Sequence, residues 1–413
     1  MNAATENRTV APRVVRAART GVAVVFALNG LAVATWFSRV PAVRDALGLS
    51  AGRLGLLLLA MSGGAVLALT SAGLVTQRLG PARTVVASTV LVAVGLAGVG
   101  VAAPLGSLPG VAVGLFALGY GSGTCDVGMN VEGAAVEKRL GRTILPRFHA
   151  AWSLGSVAGA GLGAGAARLG VPITVHLTVL AVVVFGGTVL GARNFLPTPA
   201  ASTADGAAST RRSGLLAAWR EPRTLLIGAL VLVMAFTEGS ANDWLAVAFV
   251  DGYGVSEAAG AAVFGVFVAG MTIGRTVGTV AIDRWGRVPV LIGTILLAAA
   301  GSLLAVLAGS GPLAVVGVVL WGLGASLGFP VGMSAAADDE EHAPARVSVV
   351  AVLGYTSFLA SPPLLGLLGD HVGILHALLV VPLLLIPTLG LVPATRPPAG
   401  VGPSAPTGPV QKN

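Results

Sequence analysis

The sequence predicts an all-α membrane protein: about twelve transmembrane helices in two six-helix bundles related by pseudo-two-fold symmetry. Three observations predict it. First, the 413 residues are 55% hydrophobic and only 10% charged, with a mean hydropathy of +0.88. A water-soluble chain of this length needs far more charge to cover its surface. Second, the apolar residues fall into about twelve stretches near the length a helix needs to cross a bilayer. Third, the chain repeats itself at half its length. Arg78 and Gly80 recur as Arg284 and Gly286 (284 − 78 = 206), and the same offset pairs Ser50 with Ser256 and Gly64 with Gly270. Two parallel bundles are the membrane architecture that such a repeat builds.

Taken in order, spans one to six lie near 21–40, 54–76, 84–103, 109–131, 149–168 and 172–192. Spans seven to twelve lie near 223–248, 257–281, 288–309, 312–335, 346–368 and 374–393. The splits between spans three and four, and between nine and ten, rest on short Gly/Pro links, Ala103-Pro104-Leu105-Gly106 and Gly309-Ser310-Gly311-Pro312. Gly155, Gly159, Gly161, Gly163 and Gly165 give span five a surface for close helix approach. Ser361-Pro362-Pro363 predicts a bend in span eleven. The organisation is then a tail over 1–20, a bundle over 21–192, a linker over 193–222, a second bundle over 223–393 and a tail over 394–413. The linker stretch Pro197-Thr198-Pro199-Ala200 and the Pro/Gly-rich final tail have compositions that suit disorder.

Charge sets the orientation. With the N-terminus inside, most arginines and lysines fall on inner segments, and the outer ones keep only Arg39, Arg44, Arg53 and Arg168. Both termini are therefore expected in the cytoplasm, and the net charge of +8 marks inner loops rather than a nucleic-acid surface. Lys138 and Lys412 are the only lysines and neither follows a glycine, so a nucleotide-binding G-x-x-x-x-G-K loop is excluded. The single cysteine, Cys125, excludes a disulfide framework and a cysteine-rich metal site. The expectation is a non-enzymatic monomer among membrane lipids, with a small-molecule substrate, no cofactor and no metal. Any driving energy comes from an ion gradient, with the proton as coupling ion.

Two stretches carry a family resemblance. Gly73-Leu74-Val75-Thr76-Gln77-Arg78-Leu79-Gly80 with Arg83, and Asp283-Arg284-Trp285-Gly286-Arg287, resemble the loop signature of the major facilitator superfamily. The signature falls between spans two and three and again between eight and nine. It implies a gating loop that pairs an acid with basic residues across the bundle interface and latches the closed state. Gln77 stands where that family has its first acid, and Thr279 where a glycine is usual. More narrowly, Asp126-Val127-Gly128-Met129-Asn130, followed by Phe148-His149 and Trp152 to Gly155, is similar to the fucose and hexose proton-symporter branch. The resemblance implies Asp126 as a proton-carrying carboxylate and His149 as the sugar-contacting residue. The branch has a functional acid in span one, where this chain reads Thr35-Trp36-Phe37-Ser38-Arg39.

The residues also speak for themselves. A charge at the centre of a spanning helix costs roughly 2.5–3.5 kcal/mol on insertion scales, so it faces a cavity or a partner. Asp126 lies about 17 residues into span four, roughly 25 Å from its outer end and so in the inner half, with Asn130 one turn on. It either loads and releases a proton or ties helices together. Span seven repeats the spacing with Glu238 and Asn242, a second coupling or substrate pair, and Asp243 is expected to cap that helix's outer end. Arg275 is expected to join the Asp283 loop cluster. Arg39 meets a substrate anion or snorkels to headgroups. Trp36 and Trp152 stack on a substrate ring or pack. The expected activity is proton-coupled symport of a sugar-like or other small polar solute. Efflux of a metabolite or drug is the alternative, although Ala160 after Gly159 leaves span five without the Gly-Pro kink of drug-efflux antiporters. A non-transporting sensor or scaffold is a third reading.

Overall fold

The computed structural model describes residues 12–141, 144–197, 217–339 and 342–397, and among these it holds helices and turns but no strand. In the first half the spans are Pro12–Ser38, Ala51–Leu79, Pro81–Ala102, Leu108–Leu140, Leu145–Arg168 and Ile173–Ala192. In the second they are Pro222–Tyr253, Glu257–Trp285, Arg287–Leu307, Gly311–Ala336, Ala343–Val372 and Ile374–Thr395. Eleven of the twelve are long and apolar enough to cross a membrane. The exception is span five, whose glycines, Arg147 and His149 dilute its hydropathy. Its 24 residues still reach roughly 36 Å at the helical rise.

The repeat is written in the backbone. Spans two and eight are each 29 residues long. Ser50 caps the first, its hydroxyl accepting from the Arg53 N–H, and Ser256 caps the second by accepting from the Ala259 N–H. At the other end Gly80 and Gly286 take φ values of 76° and 82°. Side chains are strained at such angles, which is why both copies keep glycine.

Several boundaries differ from the sequence reading. Span one starts at Pro12, inside the segment read as a tail. A short helix, Val40–Leu47, follows it. Span ten is broken into Gly311–Ala325 and Gly328–Ala336. The prolines of span eleven lie within one continuous helix. Span twelve finishes in the 3-10 turn Leu389–Thr395, so the start of the 394–413 tail is ordered. Arg223 holds it, donating to the carbonyls of Ala394 at 3.1 Å and Arg396 at 3.0 Å. Residues 198–216 and 398–413, which hold most of the linker stretch from Pro197 and of the tail that suit disorder by composition, lie outside the described residues.

Packing within the first half turns on span five. A Cβ at Gly155 or Gly159 would collide with the backbone carbonyls of Ala27 and Leu31, and one at Gly163 with the Ser38 hydroxyl. These three glycines sit four apart on one face and bring span one against bare backbone. Gly161 and Gly165 face open space and make no such contact. The sequence expectation of close approach therefore holds for three of the five.

The two halves meet at the face opposite the chain ends, here the far face. There Arg44 pairs with Asp251 through both Nη atoms, one bond measuring 2.8 Å. Ser50 donates to Asp370 at 3.2 Å. Gly55 lies against the Pro362 carbonyl, and Phe37 meets Phe264 edge-on at 5.9 Å. The bond to Asp251 holds the Arg44 pKa above its ordinary value. At the terminal face, where span one begins and span twelve ends, the described ion pairs all join residues of the second half. The molecule is thus closed at the far face.

Two outcomes follow. Gly159→Val should cost about 1–3 kcal/mol by overpacking and lower the Tm in detergent, while Gly161→Ala should leave it unchanged. Arg44→Ala should remove about 1 kcal/mol from the closed far face, roughly a fivefold change in population. The readout is faster maleimide labelling from that face at Ala34→Cys in a Cys125→Ser background.

Candidate functional site

A small cavity opens between the halves, with about 390 Å³ of empty space when the open solvent at its mouth is counted. Span one supplies Val33, Ala34 and Phe37; span five supplies Trp152, Ser153 and Ser156. Span seven adds Glu238 and Asn242, and span eight adds Phe264, Val268, Met271, Thr272 and Arg275. Glu238 and Asn242 reach it together because residues four apart share a helical face. The walls are mostly apolar and aromatic, with the charge gathered at one place.

That charge is an ion pair. Arg275 Nη2 donates to both Glu238 oxygens at 3.2 Å, and Arg275 Nε donates to the Ser326 carbonyl at 3.4 Å. The Ser326 acceptor has a cause in the sequence. Four residues on stands Pro330, which has no N–H to give it, and span ten breaks there. Arg275 takes the vacated donor's place. It does not join the Asp283 cluster as the sequence suggested. Asp243 also departs from expectation: span seven continues ten residues past it to Tyr253, so Asp243 caps nothing.

Asp126 and Asn130 do share a face in span four. The Asn130 amide donates to the Asp126 carboxylate at 3.2 Å and to its backbone carbonyl at 2.8 Å. No cation bonds Asp126 among the described residues. Tyr355 of span eleven lies within electrostatic reach of both Asp126 and Glu238. His149 is exposed, edge-on to Phe26 at 5.2 Å, and feels the charge of Arg275.

Two expected substrate contacts lie elsewhere. Trp36 is fully buried and does not line this cavity, so it packs rather than stacks on a ligand. Arg39 is only 4% exposed, which rules out snorkelling. It lies under the far-face seam, donating to the Val171 carbonyl at 3.2 Å and facing Glu257 of the other half. Burial lowers its pKa and the Glu257 charge opposes the shift.

In the loop signature, Arg78, Arg83, Asp283 and Arg284 are exposed, and Arg284 lies over the Trp285 ring at 5.5 Å. Gly73 is also exposed, with open space where a Cβ would stand. Arg287 finds its acid in Asp338, at 2.6 Å, and the same carboxylate holds Arg223 at 2.9 Å. Asp338 was missed in the sequence; the acidic run that begins with it was the available signal. Among the described residues no group of three metal-ligating side chains occurs.

The Major Facilitator Superfamily model matches residues 244–412. The chain is 34% identical over 352 residues to an uncharacterized transporter of Sinorhizobium fredii, covering 85% of this chain and 90% of the relative. It is 30% identical over 348 residues to an MFS-type transporter of Yersinia pestis, covering 84% of this chain and 87% of that relative. The chain belongs to the major facilitator superfamily. Solved structures share the fold. The nucleoside transporter NupG superposes with a TM-score of 0.75 at 12% identity, covering 92% of this chain and 99% of NupG. The Escherichia coli fucose:proton symporter FucP superposes with a TM-score of 0.63 at 18% identity, covering 92% and 98%. This superfamily member is therefore a multi-pass membrane transporter and not an enzyme.

Removing a buried acid that holds two arginines strands their charge. Asp338→Asn should cost about 3 kcal/mol and lower the Tm clearly, whereas Asp283→Asn, an exposed position, should leave it within error.

Proposed function

We propose that this transporter is a monomer of a bacterial cytoplasmic membrane, with both termini in the cytoplasm, that moves a small solute by alternating access coupled to protons. The arginine bias between loops supports the orientation. On that orientation the far face is external and the cavity belongs to an inward-facing state. No cofactor enters the cycle.

One observation carries the coupling: Asp126 is a carboxylate inside a spanning helix whose bonded partner is a neutral amide, not a cation. Such a group holds charge poorly away from water and exchanges a proton when its surroundings change. Glu238, neutralised by Arg275, is the second coupling residue. Asn130, Asn242, His149 and Trp152 are the solute contacts. The exposed loop residues Arg78, Arg83, Asp283 and Arg284 form the inner latch of the opposite, outward-facing state. Symport of a sugar-like or other small polar solute fits the resemblance in spans four and five. The apolar walls around Phe37, Phe264 and Met271 favour a second reading, export of a metabolite or drug.

The test is proton flux into proteoliposomes carrying a pH-sensitive dye, with sugars, organic acids and hydrophobic cations added in turn. Solute-dependent proton movement is expected, and Asp126→Asn should sharply reduce the protons moved per solute while keeping the Tm and solute exchange. Unchanged proton movement in that variant would overturn the Asp126 assignment. The sidedness of accumulation in right-side-out and everted vesicles separates import from export.

A further inference from the structure

We propose that Arg275 is the substrate-recognising charge, and that the solute is an organic monocarboxylate with a ring or other flat apolar face. The inference rests on reading the cavity between the halves as the solute site, and it replaces a neutral sugar by an anion.

Three observations carry it. The first is the unused edge of the guanidinium. Arg275 spends Nε on the Ser326 carbonyl and Nη2 on Glu238, while Nη1 has no protein partner among the described residues. A guanidinium is a planar fork shaped for a carboxylate, and here half of the fork is open. The second is the grip on Glu238. One nitrogen serves both oxygens at 3.2 Å, against about 2.7–2.9 Å for a well-made charge-assisted bond. The Arg275 side chain is about a third exposed and lines the cavity. A ligand carboxylate competes for it on favourable terms. The third is the wall. Phe37, Trp152, Phe264 and Met271 offer flat apolar surface beside the polar groups of Ser153, Ser156, Asn242 and Thr272. Such a wall suits the apolar face of a ring, with the polar groups left for a single charged end.

Charge balance then ties the anion to the proton. The titratable and charged groups that face Arg275 are Glu238 from span seven and His149 from span five; Tyr355 of span eleven interacts in turn with Glu238 and with Asp126 of span four. Arg275 is the one cation lining the cavity. When the solute carboxylate takes the guanidinium, the Nη2 bonds to Glu238 break and Glu238 takes a proton from water. Anion and proton enter together, so the loaded cavity has the charge of the empty one.

The experiment measures binding, not transport. The purified full-length chain in detergent is titrated with benzoate, phenylacetate and cyclohexanecarboxylate, and with glucose and benzylamine as comparisons, following tryptophan fluorescence. At least one carboxylate should give a saturable change that is lost in Trp152→Phe. Its affinity should fall at least tenfold in Arg275→Gln. In Glu238→Gln it should rise, and its dependence on pH should flatten. Thermal melts control for folding. Arg275→Lys, which keeps the charge without the fork, should fold and bind at least fivefold more weakly. Binding of glucose or benzylamine in place of the acids, carboxylate affinity in both Arg275 variants equal to that of the unaltered protein, or no response to any of the three acids would each overturn the proposal. If the acids bind as expected and no solute moves in proteoliposomes, the transport cycle fails while this assignment stands.

Discussion

The close approach of span one to span five is the contact on which the rest of the molecule depends. In a bilayer no hydrophobic effect pulls helices together, since lipid tails are as apolar as leucine. Dispersion between closely matched surfaces must do it, and that requires backbone to meet backbone. Gly155, Gly159 and Gly163 provide the surface, and Gly30 returns the arrangement by lying against the Trp152 carbonyl. One consequence is geometric. With the two helices locked in register, Phe37 of the first and Trp152 of the second form a continuous wall of the same cavity. The same logic operates within each repeat. Gly64 rests on the Phe116 carbonyl, and its counterpart Gly270 lies so close to that of Val319 that an added Cβ would stand 3.1 Å from the oxygen.

What could be read in advance divides along a physical line. Residues chosen by backbone demand were legible: the serine caps, the glycines at positive φ and the long apolar runs each answer to a local requirement, so their type and spacing betray it. Residues chosen by partners in three dimensions were not. Arg275 and Glu238 are 37 positions apart. Nothing local says that the two helices turn those faces toward each other, so the arginine was assigned to the nearest acid in sequence. Trp36 and Arg39 occupy a stretch that looks exposed because it ends a span, yet the short helix Val40–Leu47 and the second bundle cover it. The Asp243 error has the same origin: an acid near the end of an apolar run suggests a cap, but the helix continued.

The broken tenth span lies between these cases. Pro330 is plain in the sequence, and its missing N–H dictates a free carbonyl four residues back. That the free carbonyl would orient Arg275 needed the neighbouring helix. A local defect thus becomes a positioning device: the irregularity costs span ten a hydrogen bond and fixes the direction of the charge at the centre of the cavity. The same trade recurs at Arg223, which ties down the carbonyls at the end of span twelve and shares Asp338 with Arg287.

The seam at the far face contains both glue and grit. Arg44 and Asp251 favour closure, yet a few residues away Arg39 is buried with Nε and Nη1 unbonded, and His176, 5% exposed, has neither ring nitrogen satisfied. Polar groups shut away without partners raise the free energy of the state that shuts them away. The closed seam therefore carries its own opposing force. In the proposed cycle of two shapes, whichever shape is preferred most slows each turn, and the stranded donors of Arg39 and His176 make the closed one shallower.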